Sequence, residues 1–218
     1  MSRLQKVKPL WQDQSCIVAA PGPNLTPEVA EQVRQTGWKV LVCQDAHRLL
    51  PWADVLYGCD DRWWDQYQGV PSFMGEKWST HGDAHAANDK RQQAEKYGIH
   101  LVTGRRDEGF SLDPGIIHYG DNSGFQSINL AILLGATYIV LVGFNMGGRG
   151  HFFGDHPAPL FNQDDYKKWV PHFDRAAELL PKNITIINTT PNTALHSFKE
   201  LPLNDAIGSY RMSWLRKL

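Results

Sequence analysis

Short apolar runs recur along the chain, each closed by a polar or glycine-bearing turn: residues 16–20 (CIVAA), 38–43 (WKVLVC), 55–57 (VLY), 138–142 (YIVLV) and 184–187 (ITII). A run that is apolar without alternation is the pattern of a parallel strand buried on both faces. Amphipathic or capped segments lie between the runs. Thr26 reads as an N-cap with Pro27 at the first helical position and Glu28 at the positive end of a helix running to Gly37. A short helix is expected over 46–50, a polar one over 84–97 closed by Gly98, a strand over 100–103, and a further helix somewhere in 163–180. Residues 104–115 read as loop, and the aromatic stretch with Trp63, Trp64, Tyr67, Phe73 and Trp78 has no clear period. The end of the chain, from Asn188, reads as a turn-rich loop and another short helix before residues 210–218. Strand, polar loop and helix therefore alternate, which predicts an α/β fold: a single Rossmann-like domain, mainly parallel, with helices on both faces of the sheet.

The most informative stretch runs from Gly120 to His156. It reads as a loop, an apolar helix, a buried strand and a second polar loop, so both loops should open on the same edge of the sheet. Asp121, Asn122, Ser123 and Gly124 precede the helix, where unpaired N–H groups and the helix dipole favour an anion. Asn145, Asp155 and His156 follow the strand, at the edge where open α/β sheets bind ligands.

Composition narrows the partners. At 218 residues the chain is long enough for one full-sized core, and 22 basic against 23 acidic residues give a net charge of −1. That balance supplies no general attraction to nucleic acid. No apolar run reaches the length of a membrane span and the first residues lack a signal-peptide core, so a cytoplasmic protein is expected. Cys16, Cys43 and Cys59 each sit alone in or beside an apolar run and read as buried reduced thiols.

Candidate chemistry gathers at the strand ends. Pro21-Gly22-Pro23-Asn24-Leu25 occupies the place of the glycine-rich turn of a dinucleotide fold, but neither GxGxxG nor GxxxxGK[ST] is present. Gly22 reads either as a tight turn or as a point where the backbone lies close to a nucleotide. Gln44 and Asp45 end the second strand, and Asp60 and Asp61 end the third. The first pair suits a ribose or base, although Asp45 also reads as a helix N-cap; the second suits Mg²⁺ against phosphates or simple solvation. His151, Asp155 and His156 share a glycine-rich loop, and an imidazole beside a hydroxyl nucleophile can act as a general base. His81 and His85 lack an evident third ligand for a metal. Arg105 and Arg106 suit phosphate or plain solvation.

GPNL after the first strand, VCQDA after the second, NSGFQSINLAILLGATYIVLVGFNM and NTTPNTALHSFKELP together resemble the superfamily of bacterial α-2,3/2,8-sialyltransferases. The same motifs resemble 6-hydroxymethylpterin diphosphokinase-like proteins, including uncharacterised relatives in prokaryotes and phages. The resemblance spans most of residues 16–202. It implies a nucleotide- or nucleotide-sugar-dependent transferase acting on a sugar or small-molecule acceptor, and a phage-encoded relative would work in the host cytoplasm. A homo-oligomer is one form of assembly open to the chain. Gly22, Pro23 and Asn24 would approach the nucleotide, Gln44 its sugar or phosphates, and Asn122, Ser123 and Gly124 its base or ribose. His156 would be the histidine base, and Thr190, Asn192 and Thr193 would belong to a loop closing the pocket. The diphosphokinase branch implies ATP with Mg²⁺, giving Asp60, Asp61 and Asp155 a role on a pterin-like alcohol. A non-catalytic nucleotide-sequestering protein remains a third expectation. The sequence departs from the sialyltransferase pattern at Pro21, at Gln44, and in the short GGRGHFFGD that replaces a long tyrosine-bearing lid.

Overall fold

The computed structural model describes residues 4–82, 90–148, 150–160 and 165–215, with side chains through Tyr210. Among these residues nine strands form one all-parallel sheet: β1 (Ser15–Ala19), β2 (Lys39–Cys43), β3 (Val55–Tyr57), β4 (Glu76–Gly82), β5 (Ile99–Arg105), β6 (Ile116–His118), β7 (Tyr138–Val142), β8 (Thr185–Asn188) and β9 (Lys199–Glu200). Their order is β6-β5-β4-β3-β2-β1-β7-β8-β9. The chain therefore lays down six strands in one direction from β1, returns, and lays down the remaining three on the other side. That reversal makes the β1–β7 boundary the topological switch point, where strand-end loops splay apart and leave a crevice.

Alternation within β1 explains why its run is apolar throughout. Cys16 and Val18 belong to one buried cluster with Phe125 and Ile128 of α4 (Ser123–Leu133) and Phe173 of α5 (Val170–Glu178). Ile17 and Ala19 belong to the other. That second cluster holds Ala30 and Val33 of α1 (Pro27–Thr36), Trp63 and Trp64 of α2 (Asp61–Gln66), Ala94 of α3 (Lys90–Tyr97), and Leu203 and Ala206 of α6 (Leu203–Leu215). Helices thus cover both faces, as the alternation of elements predicted. α1 carries the predicted cap: Thr26 Oγ1 accepts from Val29 N–H at 3.3 Å, with Pro27 at the start and Gly37 at φ 67° at the end.

The structure adds elements that the pattern did not reveal. β4 spells EKWSTHG, too polar to read as a strand, yet Trp78, Ser79 and Thr80 are buried. Thr80 and Tyr57 hydroxyls share the carboxamide Oε1 of Gln126 at 3.2 and 2.5 Å, so α4 satisfies the Thr80 hydroxyl, whereas Ser79 Oγ is buried with no hydrogen-bond partner among the described residues. β6 and β9, three and two residues long, carry too little pattern to detect. The expected helix over 84–97 is described only from Lys90, and His85 lies outside the described residues. The short helix near the C-terminus and the segment after it are one helix, α6. Among the described residues no helix is long and apolar enough to cross a membrane.

Candidate functional site

A cavity of about 270 Å³ opens at the carboxyl edge of β1, β2, β3 and β7. Two loops at the switch point frame it. After β1 the ladder continues beyond the strand ends, with Ala20 N–H donating to Val142 O at 2.9 Å and Gly22 N–H to Gly143 O at 3.1 Å. A Cβ on Gly22 would overlap Gly143 O and Asn145 Oδ1, and one on Gly143, whose φ is +73°, would overlap Ala20 O. Glycine at 22 is thus required by the approach of one loop to the other, a third reason beside the turn and the nucleotide read from the sequence. Asn24 N–H reaches Asn145 Oδ1 at 3.4 Å, and Asn24 Nδ2 donates to Pro191 O at 2.6 Å.

The N-terminus of α4 forms a further side. Asn122 is its N-cap, accepting from Phe125 N–H at 3.0 Å, and Asn122, Ser123 and Gly124 line the cavity. First-turn N–H groups without intrahelical acceptors therefore border the space, a setting that favours an anion. Ser123 Oγ lies 2.9 Å from Cys59 Sγ. Cys59 itself lines the cavity and is half-buried, whereas Cys16 and Cys43 are buried as expected and burial pushes the Cys43 thiol up to about 12.

Three non-glycine residues that line the cavity sit in the left-handed region: Gln44 at φ 44°, Asp121 at 49° and Met146 at 47°. Each such conformation costs about 1 kcal/mol or more and persists only where surrounding structure enforces it. Their convergence on one cavity is a mark of a functional site rather than of three unrelated turns.

The reactive side chains come from the long connection between β7 and β8. His156 lines the cavity with its side chain 9 % exposed, and its Nδ1 lies 3.6 Å from Oδ2 of Asp45, which is 0 % exposed. The same oxygen accepts from Trp63 Nε1–H at 2.6 Å. Asp45 lies inside the 3-10 turn Gln44–Arg48, whose cap residue Cys43 makes no side-chain bond, so Asp45 is not an N-cap. It is a buried carboxylate beneath the imidazole. Burial pushes the His156 pKa below its ordinary value, and the Asp45 charge opposes that shift. His151 is next to it, with ring centroids 4.6 Å apart, and its Nε2 lies 3.0 Å from the Tyr166 hydroxyl. Burial first, and His156 second, push His151 down to about 4. Burial thus disfavours the charged form of both imidazoles, and a general base must be neutral before it takes a proton.

The remaining sequence candidates divide by position. Gly22, Gln44, Asp60, Asn122, Ser123, Gly124, Asn145 and His156 line the cavity. Pro23, Asn24, Asp45, Asp61, Asp155, Thr190 and Asn192 do not line it. Thr190 and Thr193 brace it from behind: Thr190 Oγ1 accepts from Phe144 N–H at 2.9 Å, and Thr193 Oγ1 donates to Phe144 O at 2.7 Å. Asn192 is exposed, with φ 52°, and Asp155 is exposed beside His156. Tyr166, Trp169 and Trp63, which line the cavity, carry no local signal that singles them out.

Asp60 and Asp61 offer a divalent ion little. Asp60 caps α2 through Arg62 N–H at 3.0 Å, Asp61 Oδ1 accepts from the same N–H at 3.0 Å, and Arg62 Nε lies 3.5 Å from Asp60 Oδ1. The buried Lys90 ammonium, hydrogen-bonded to Cys59 O, adds another positive charge next to both acids. Among the described residues no three His, Cys, Asp or Glu side chains gather as a metal site. Arg105 and Arg106 are exposed and outside the cavity lining, and Arg106 pairs with Asp121 at 3.7 Å.

The chain matches no protein-family profile and no curated protein. Among solved structures its fold is similar to that of the MAf glycosyltransferase from Magnetospirillum magneticum AMB-1. The TM-score is 0.63 at 13 % sequence identity, over 99 % of this chain and 39 % of that protein. The likeness establishes the shared fold. This chain spans about two-fifths of the length of that glycosyltransferase.

Proposed function

We propose that this chain transfers a glycosyl group from a nucleotide-sugar donor to a hydroxyl acceptor, with His156 as general base. The observation that carries the reading is a single cavity at the β1–β7 switch point lined both by the N-terminus of α4 and by a histidine backed by a buried carboxylate. The first suits the donor's phosphates and the second suits an acceptor hydroxyl. Gln44, Asn122, Ser123 and Asn145 supply donors and acceptors for the ribose and base, and Gly22 lets the backbone run along the cavity without a side chain in the way.

In this reaction the acceptor hydroxyl gives its proton to His156 as its oxygen bonds to the anomeric carbon of the donor. The bond from that carbon to the donor phosphate breaks, and the nucleotide leaves with the electron pair. Helix α4 stabilises the charge growing on the phosphate, and Asp45 stabilises the imidazolium. The sharing of a fold with a glycosyltransferase supports sugar transfer over other uses of the cavity, and the crowding of Asp60 and Asp61 by Arg62 and Lys90 supports a reaction without Mg²⁺ at that pair.

A thermal-shift panel of CMP, CDP, UDP, GDP, ADP and ATP, each with and without Mg²⁺, tests the donor half of this reading. At least one nucleotide is expected to stabilise the protein without metal, by about 2.7 kcal/mol at a hundredfold excess over its dissociation constant. Stabilisation by ATP alone, and only with Mg²⁺, would transfer the case to diphosphotransfer; no shift with any nucleotide would overturn the nucleotide reading altogether.

A further inference from the structure

The His156 side of the cavity is a wall of rings. His156, His151, Tyr166 and Trp169 all line it, and their rings touch in series: centroids are 4.6 Å apart from His156 to His151, 5.6 Å from His151 to Tyr166 and 5.5 Å from Tyr166 to Trp169. The wall is braced along its length. Tyr166 is anchored by its hydroxyl on His151 Nε2, His151 stacks on Phe153 at 4.9 Å with planes 4° apart, and the Lys168 ammonium covers Trp169 at 4.7 Å. Tyr166 and Trp169 are half-buried and pack against the core cluster of α4 and α5. They hold their orientation and still border open space.

Resting on the reading of His156 as base, we propose that this wall is the acceptor subsite and that the acceptor is a pyranose sugar lying against Tyr166 and Trp169 with one hydroxyl at His156. Proximity decides between acceptor and nucleobase. The reacting hydroxyl must reach His156, so the ring that bears it occupies the space next to the imidazoles, and the surface there is this series of rings. Shape decides the class of ring. Tyr166 and Trp169 meet at 58° and Tyr166 meets His151 at 82°, which makes corners and no parallel slot. A flat aromatic stacks on one face of such a corner. A puckered pyranose presents C–H groups on both its face and its edge and can touch two rings at once, while its hydroxyls turn toward the polar lining at Asp60 and Arg62.

Saturation-transfer NMR with the intact protein and methyl glycosides of glucose, galactose and N-acetylglucosamine, with phenol as the flat control, tests the assignment. At least one glycoside is expected to bind in preference to phenol, with Trp169→Ala weakening it about five- to tenfold and Trp169→Phe retaining most of the affinity. Nucleotide affinity, read in parallel, should be the same in wild type and Trp169→Ala. A wall that binds phenol and no glycoside, glycoside binding indifferent to Trp169→Ala, or a Trp169→Ala protein that loses nucleotide instead would each overturn the subsite. Loss of nucleotide binding in the wild type alone would defeat the donor reading and leave the glycoside result standing, so the two failures are distinguishable.

Discussion

The two sides of the cavity are built in different ways. One is backbone: the loops after β1 and β7, interlocked through Gly22 and Gly143, and the first turn of α4 capped by Asn122. The other is side chain: His156, His151 and Tyr166, on a connection whose described residues form no helix or strand between β7 and the 3-10 turn Lys167–Trp169, and Trp169 at the end of that turn. Backbone walls follow from topology, because any doubly wound sheet splays its loops at the switch point and aims helix N-termini there. Side-chain walls are specific to one chain. The first side therefore accounts for a crevice common to doubly wound sheets, and the second must account for what this chain does with a ligand there. Asp45 joins them: it sits at the end of β2, in the frame, and supports His156 on the variable side.

Substitutions can separate the two sides. Gly143→Ala should have the largest effect on the frame. Its φ of +73° strains any side chain, and the added Cβ would overlap Ala20 O, so a loss of about 3 kcal/mol of stability is expected in urea unfolding. A Gly143→Ala protein as stable as wild type would show that the loops do not lock together as described. Asp45→Asn should act on the variable side with a smaller cost to folding, since asparagine keeps an oxygen for Trp63 Nε1–H. Its signature is the pH profile. The Asp45 charge raises the His156 pKa against the lowering by burial, so neutralising it lets that pKa fall further. The acid limb of activity, which in wild type should lie below the ordinary histidine value because a neutral imidazole is required, should move to still lower pH, with the maximal rate down about tenfold because the imidazolium loses its partner. An acid limb that stays in place would mean that Asp45 has no electrostatic hold on the base.

The same division explains what the sequence could and could not say. The parallel sheet, the capped α1, the anion-favouring start of α4 and the polar loops at the strand ends all follow from runs, caps and spacing within a few dozen residues, whereas the strand order that sets β1 beside β7 does not. Asp45 did not, because its burial depends on Trp63 and on His156, 111 residues further along the chain than Asp45. Nor did β4, whose polar residues look solvated until Tyr57 and Gln126 are placed against Thr80. Thr190 and Thr193 were in reach as part of the pocket region, but only the structure shows them bracing Phe144 and Asn145 from outside the cavity. Tyr166 and Trp169 are ordinary aromatics in sequence, and their place beside the histidines is set by the path of the connection. Local rules reveal a frame; long-range contacts decide the chemistry hung on it.

The central claim is that one cavity holds a nucleotide-sugar at the α4 end and activates an acceptor at His156. It is tested most directly by following nucleotide release from a panel of nucleotide-sugars, with an acceptor glycoside present, in wild type and in His156→Ala. The account predicts release by the wild type coupled to glycosylated product, and a fall of about a hundredfold or more in His156→Ala while that variant still binds the nucleotide with wild-type affinity. Turnover undiminished in His156→Ala, or a wild type that binds nucleotide-sugar and leaves it intact with every acceptor, would contradict it.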